Sequence, residues 1–455
     1  MKLLLVVALA AGACFISACT RQGSAQGASQ PPPPTPTPVP NPTPTPAPGS
    51  FTRGQWTHFS NDNKTFGSAL FVGDGSAPYD VFADGTTSVK GQTLQQAEIG
   101  SGGPNAQLAA YSAGGIYIPS INQFVTLLTT GHYAGGSNEV NVFDLSSGTW
   151  NPGGRPVNPT VRLYMRVGMA WPVSIAYGGH PLTAPVAFVD TGNNYSANIS
   201  PSQLGIQAVP VNRQIYGGIA DMPGFNKIFL FGGFGYWDPN SGDASIGCTY
   251  DYVTKKYQLL DAETWPAGSQ NNVTTAAWDS TYGRVLFTTE RSLFAYYPGR
   301  AQGQRVQVVV EGDGCSGDNC STRTAVWDPH RKRLLLFGGS SNLYYDFSGG
   351  EFSPPPATAF SISGSGLATT RGPSVMYDPV ADAYIHHSIG MTLVSMNPST
   401  FVGSTLSSSG GDTPTTSGTA GEWEYYRLFY WAAQDAYVAL PTGDTVGVYI
   451  YPPIR

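Results

Sequence analysis

Five arginines in similar sequence positions are the side chains best suited to bind an anionic ligand. Each stands at or near the start of an apolar, strand-like segment: Arg166, Arg213, Arg323, Arg371 and Arg427. Guanidinium groups bind carboxylates through paired N–H donors, so arginines gathered around one opening would favour acidic ligands. The structural alternative is that they pair with Asp279, Asp328 or Asp378 of neighbouring segments.

Aromatic side chains in two glycine-rich stretches form a second candidate binding surface. One stretch contains His132 and Tyr133, and the other contains Tyr236 and Trp237. Exposed aromatic rings beside polar groups stack on sugar rings or anchor protein interfaces. The alternative is that these rings cover the apolar core from outside.

Metal-binding and catalytic patterns are weak, so we expect no metal and no cofactor. The histidines are His58, His132, His180, His330, His386 and His387. His386 and His387 are adjacent on a predicted strand, where they would point to opposite faces. The segment Asp238–Asp243 lacks the later acidic residue of an EF-hand loop, and no Gly-x-Ser-x-Gly elbow precedes a helix. Paired carboxylates for sugar cleavage stay open, because they would come from distant segments.

The cysteines indicate one local crosslink. Cys315 and Cys320 flank a turn-forming Ser-Gly-Asp-Asn segment, and in an exported protein this spacing predicts a disulfide. Cys248 has no obvious partner, so we expect a buried thiol.

The N-terminus predicts export and lipid anchoring. Lys2 is followed by a short apolar stretch over residues 3–18, which is typical of a signal peptide. The sequence Ile16-Ser-Ala-Cys19 resembles the lipobox of bacterial lipoproteins. That resemblance implies cleavage before Cys19, lipidation of its thiol and attachment to the bacterial cell envelope. Because Thr20 is not Asp, it also implies the outer membrane in a Gram-negative organism.

Residues 19–50 form a linker, and residues 51–455 differ from it sharply in composition. Eleven of residues 31–48 are proline, which favours an extended polyproline spacer. The protein has 56 glycines, 12% aromatic and only 11% charged residues, so turns and strands dominate. The formal net charge of −6 and the lack of a basic cluster argue against nucleic-acid binding. We expect one monomeric domain, since no second linker divides the chain.

A repeated sequence motif predicts the organisation of that domain. An apolar strand ends at an aromatic residue, often followed by Asp; a short turn and a second apolar strand follow. The anchor positions of the motif are Tyr117, Ala220, Trp278, Trp327, Tyr377 and Tyr430. Successive gaps are 103, 58, 49, 50 and 53 residues. Because the first gap is twice the others, we place a degenerate unit at residues 168–189, giving seven units.

The period and the glycine pairs Gly232-Gly233 and Gly338-Gly339 resemble the kelch repeat, as in the central domain of galactose oxidase. The resemblance implies an all-β, seven-bladed kelch-like β-propeller of four-stranded blades. The residues of the copper-radical site of galactose oxidase are not matched. No histidine stands in a Tyr-His pair, and Cys248 near Tyr250 alone does not make up the ligand set.

The last unit supplies three strands and ends at Arg455, so an N-terminal strand near Gln55-Trp56 is expected to complete it and close the ring. Residues 67–90 could extend that closure or contribute to an eighth blade. The favoured function is a non-catalytic propeller that binds glycan or an envelope protein. A polysaccharide lyase or hydrolase with its site at the channel mouth is the alternative, and a purely structural envelope role is the third.

Overall fold

The protein is described by a computed structural model. It describes residues 51–59, 80–82, 115–127, 140–150, 162–164, 188–190, 195–196, 217–232, 247–260, 263, 275–289, 292–311, 323–339, 341–352, 354, 356–364, 372–387, 392–412, 414, 425–440 and 447–455. Within these residues the fold is an all-β propeller with six blades. The prediction of seven blades is therefore wrong in number.

The strands, numbered in chain order, form six similar sheets. Blade 1 contains β3 (Gly115–Ile118), β4 (Gln123–Leu127), β5 (Val140–Asp144) and β6 (Thr149–Trp150). Blade 2 contains β10 (Ile219–Met222), β11 (Lys227–Leu230), β12 (Cys248–Asp251) and β13 (Lys256–Leu259). Blade 3 contains β14 (Thr275–Asp279), β15 (Arg284–Thr288), β16 (Ser292–Tyr296) and β17 (Val306–Glu311).

The second half of the chain repeats the arrangement. Blade 4 contains β18 (Arg323–Asp328), β19 (Arg333–Gly338), β20 (Asn342–Asp346) and β21 (Thr358–Phe360). Blade 5 contains β23 (Val375–Asp378), β24 (Ala383–His387), β25 (Leu393–Met396) and β26 (Val402–Thr405), with the short β22 (Ser363–Gly364) beside β26. Blade 6 contains β27 (Leu428–Trp431), β28 (Ala436–Ala439) and β29 (Tyr449–Tyr451).

The outermost strand of blade 6 comes from the other end of the chain. Strand β1 (Thr57–His58) pairs antiparallel with β29, placing Thr57 opposite Ile450. Trp56 beside it is buried and packs in the apolar cluster between blades 5 and 6.

A small mixed sheet occupies the place in the sequence where the degenerate unit was predicted. It contains β2 (Asp80–Phe82), β7 (Arg162–Tyr164), β8 (Phe188–Asp190) and β9 (Tyr195–Ser196). Strands β2 and β7 run parallel, whereas the neighbouring main strands within each blade are antiparallel. In the described residues, the doubled gap in the repeat therefore contains a small mixed sheet and no further blade of the regular pattern.

One turn type joins the first and second strands of every blade. These turns are the four-residue segments 119–122, 223–226, 280–283, 329–332, 379–382 and 432–435. The last residue of each turn has a positive φ, between 45° and 65°. Asn, Asp and Gly tolerate that conformation best, and they occupy five of the six positions; Lys332 is the exception. This set of turns defines the turn end of the propeller.

At the opposite end, which we call the loop end, the first strands begin and the second strands finish. The connections there are longer in most blades, such as residues 128–139 in blade 1 and 231–247 in blade 2.

The core lies between the blades, with one apolar cluster at each junction of consecutive blades. A further cluster joins blade 6 to blade 1, where Tyr117 stacks on Phe429 with ring centroids 4.3 Å apart. The aromatic anchors Trp278, Trp327 and Tyr377 each face the preceding blade in these clusters. This confirms that the repeated aromatic position fills the space between sheets.

Candidate functional site

Buried polar side chains gather at the loop end of the blades. They are Thr126, Asn141, Thr249, Thr275, Thr288, Thr289, Ser292, Arg323, Thr324, Asn342, Ser374, His386, His387 and Arg427. All of them lie at or beside the starts of first and third strands or the ends of second strands. Burying a polar group costs free energy unless it is hydrogen-bonded, so this polar layer must be satisfied by the protein or by something bound to it.

Tyr426, just before the first strand of blade 6, reaches across the centre of the propeller. Its hydroxyl lies 3.1 Å from the Gly217 carbonyl, 3.1 Å from the Thr275 hydroxyl and 3.4 Å from the Ala325 amide, and it donates to the Ala276 carbonyl. These partners belong to the first strands, or the residues before them, of blades 2, 3 and 4. Burial raises the pKa of Tyr426 to about 12, so the phenol stays protonated.

Gly217 shows how closely the strands approach at this level. A Cβ atom on Gly217 would lie 2.9 Å from the Thr275 hydroxyl and 3.1 Å from the Arg323 carbonyl oxygen. The Ala276 amide donates to the Gly217 carbonyl at 2.8 Å. Together with Tyr426, this crowding fills the centre of the propeller among blades 2, 3 and 4.

Arg323 is the most unusual member of the polar layer. The residue is only 2% exposed, and its Nη2 donates to the Ser341 carbonyl at 3.0 Å. Within the described part of the chain its Nε and Nη1 have no hydrogen-bond partner, and desolvation lowers the pKa of its guanidinium, against a smaller raising effect of Tyr345. No ion pair joins it to any carboxylate in the described ranges.

Thr288 lies on the blade surface that faces Arg323. In blade 3, Ala277 and Leu286 pack against Ala325 of blade 4. Side chains alternate along a strand, so Thr288, two residues after Leu286, shares the surface that faces blade 4. By the same rule Arg323, two residues before Ala325, faces blade 3. The Thr288 hydroxyl is buried and has no hydrogen-bond partner among the residues that the structure describes.

Of the predicted binding residues, the structure describes two. Arg323 and Arg427 both lie at the loop end and are buried. Arg166, Arg213 and Arg371, the aromatic residues His132, Tyr133, Tyr236 and Trp237, and the cysteines Cys19, Cys315 and Cys320 lie outside the described residues. Cys248 is buried and outside any disulfide, as expected.

Arg323 does not form the predicted alternative ion pair with Asp279, Asp328 or Asp378, because these three aspartates have other partners at the turn end. Asp279 accepts a hydrogen bond from the Arg284 Nε at 2.8 Å. Asp328 and Asp378 accept from tyrosine hydroxyls of the next blade, Tyr384 and Tyr437, each at 2.6 Å. Burial is the main cause of the raised pKa values of both tyrosines.

Each of these aspartates also shapes the turn that follows it. The Oδ1 atoms of Asp279, Asp328 and Asp378 accept backbone N–H groups two or three residues later, such as Thr281 at 2.9 Å. One carboxylate therefore fixes a turn and a contact to another side chain. The sequence shows an Asp directly after the anchor residue in three units. It does not show the partners of these carboxylates, because they come from other strands.

Asp221 is a buried acid that the sequence analysis missed. It pairs with Ile228 just as Trp278 pairs with Val285, so Asp221, not Ala220, occupies the anchor position in blade 2. Its Oδ1 has no hydrogen-bond partner in the described residues, and desolvation raises its pKa to about 7. Asp221 lies toward the turn end, away from the polar layer, so it does not place a titrating carboxylate at the channel mouth.

Among the described residues, no three or more His, Cys, Asp or Glu side chains are grouped to hold a metal ion. No helix in the described ranges is both long and apolar enough to cross a membrane.

Comparison with known proteins gives a fold likeness only. No family model matches the chain, and no curated protein does. One solved structure, a gluconolactonase from Xanthomonas campestris, is similar with a TM-score of 0.39 and 10% sequence identity. The match covers 75% of this chain and 85% of the gluconolactonase. At that distance the likeness carries no conclusion about activity.

Proposed function

We propose that this protein is an envelope lipoprotein whose kelch-like propeller binds a glycan or an envelope protein at its loop end. The observation that supports the proposal is the buried polar layer, in which two guanidinium nitrogens of Arg323 have no partner and no ion pair among the described residues. Desolvated polar groups without partners are uncommon in folded proteins and need an explanation. A ligand approaching the loop end would supply the missing acceptors.

The position of the chain ends agrees with display of the loop end. The Gly54 amide donates to the Pro452 carbonyl at 2.8 Å, and Arg53 and Arg455 both contact Asp435 in the last turn of the turn end. The first described residues of the chain therefore lie at the turn end, which leaves the loop end free of contacts with Arg53 and Gly54.

Lipidation is tested by Cys19→Ala. The wild-type chain should incorporate labelled palmitate and fractionate with membranes, in the outer membrane if the host is Gram-negative. The variant should incorporate no label. Equal labelling of the two proteins would rule out Cys19 as the lipidation site.

We also propose that β1 closes the ring by completing blade 6. Its pairing with β29 and the burial of Trp56 support this role. Deletion of residues 51–90 should then abolish a single cooperative unfolding transition measured by circular dichroism. A deletion variant that melts like the wild-type protein would refute closure.

Binding is tested with the full chain purified in detergent, applied to a glycan array and to an extract of envelope proteins. Retention of a defined glycan or protein, blocked by a bulky label at Ser341 beside Arg323 but not by one at Val253 at the turn end, supports the proposal. Binding that only the Val253 label blocks would place the site at the wrong end.

A further inference from the structure

We propose that Arg323 and Thr288 form a binding site for a single anionic group of carboxylate size, between blades 3 and 4. The site deepens the proposed function, on which it rests for the identity of the larger ligand. The binding chemistry itself depends only on the two side chains and their surroundings.

Two buried arginines differ in how their charges are compensated. Arg284 is fully buried at the turn end, and Asp279 lies 2.8 Å from its Nε, so its charge is compensated. Arg323 is almost as buried, but only a neutral carbonyl and, at 3.5 Å, the Ser341 hydroxyl accept from it. An isolated buried charge costs several kcal/mol even after relaxation. A bound anion removes that cost.

Hydrogen-bond donors suited to an anion are present at Arg323 and Thr288. In the described ranges the Arg323 Nε–H and Nη1–H and the Thr288 hydroxyl have no acceptor. The neighbouring Thr275 hydroxyl is engaged with Tyr426, and the Ser341 carbonyl fixes the guanidinium through Nη2. Charge-assisted hydrogen bonds to an anion are about twice as strong as neutral ones.

The burial of Arg323 and Thr288 limits the size of the anion that they can bind. Arg323 and Thr288 are each 2% exposed, which suits a small anionic group better than a whole sugar. That group could be a free ion such as chloride or acetate, or the carboxylate of an acidic sugar unit. The shared chemistry is one compact anion, and the experiment separates the two sources.

The test is thermal unfolding of the full chain in detergent at constant ionic strength, with HEPES replaced stepwise by chloride, acetate or oligogalacturonate. We expect a saturable rise in Tm of a few degrees for the wild-type protein. Arg323→Met should show no rise, and Thr288→Val, which replaces the hydroxyl with a methyl group of similar size, should need several-fold more anion. Lys256→Met, which removes an exposed charge at the turn end, should behave like the wild-type protein.

A lower half-saturating concentration for oligogalacturonate than for acetate assigns the anion to a glycan; equal or weaker binding assigns it to a free ion. The proposal is overturned if no anion raises Tm, or if Arg323→Met and Thr288→Val respond like the wild-type protein. Should Arg323→Met not fold, Thr288→Val decides alone. Failure of the array and extract experiments with an intact anion response would refute the proposed function but not this site.

Discussion

The two ends of the propeller differ in how their buried charges are compensated. At the turn end, the buried carboxylates of Asp279, Asp328 and Asp378 meet Arg284, Tyr384 and Tyr437 with short hydrogen bonds, although the Asp221 Oδ1 and the Arg284 Nη2 have no partner among the described residues. At the loop end, the buried guanidinium of Arg323 has two nitrogens without a partner there and no ion pair in the described ranges. The turn-end contacts therefore stabilise the blade junctions, whereas the charge of Arg323 costs stability unless it is compensated.

The largest effect should come from removing the compensating charge at the turn end. Arg284→Met leaves Asp279 buried without its cation, which we expect to lower the free energy of unfolding by about 3–5 kcal/mol. Urea denaturation measures the change, with Lys256→Met as an exposed control. A loss no greater than that of the control would show that the Asp279 contact contributes little.

Asp221 should give the next largest effect, and one that depends on pH. Its pKa is about 7 in the folded protein against 3.8 when exposed. The stability that it contributes is therefore present below pH 3.8 and lost as pH rises to 7, at up to about 1.4 kcal/mol per pH unit. Asp221→Asn should gain stability over the wild-type protein across that window, with the gain constant above pH 7. If the free energies of unfolding of the two proteins changed with pH in parallel, the raised pKa of Asp221 would be contradicted.

The tyrosine contacts between blades should matter less than the charge pair. Tyr384→Phe removes the hydroxyl that donates to buried Asp328, and we expect a loss of about 1–3 kcal/mol. Tyr344→Phe in blade 4 is the control, because its ring is only partly buried. Thermal denaturation of both variants compares them, and an equal loss would argue against a special role for the Asp328 bond.

The smallest effect should come from the loop end. In buffer without small anions, Arg323→Met removes an uncompensated buried charge, so we expect a change within about 1 kcal/mol of zero or a gain in stability. Urea denaturation beside Arg284→Met makes the comparison direct. A loss as large as that of Arg284→Met would mean that Arg323 is a structural residue.

The sequence predicted the blade unit well because its signals are local. The aromatic anchor, the turn and the apolar second strand all lie within about fifteen residues, and alternation alone assigns their faces. The blade count was wrong because spacing alone was used between Tyr117 and the next unit. A gap of two periods can hold a second blade or an unrelated sheet, and here β7, β8 and β9 pair with β2.

The candidate site was only half visible in the sequence. Arg323 was identified by its position before a strand, but Thr288 belongs to another blade, and no local pattern links the two. Asp221 was missed because an apolar residue was sought at the anchor position, which shifted the alignment by one residue. The constant four-residue turn would have corrected that shift.

The most direct test of the account is binding of the glycan or envelope protein retained by the full chain, measured for the wild-type protein, Arg323→Met and Lys256→Met. We expect Arg323→Met to weaken binding at least tenfold, about 1.4 kcal/mol, while Lys256→Met leaves it unchanged. Unchanged binding by Arg323→Met, together with loss in Lys256→Met, would place the working surface at the turn end and contradict the account.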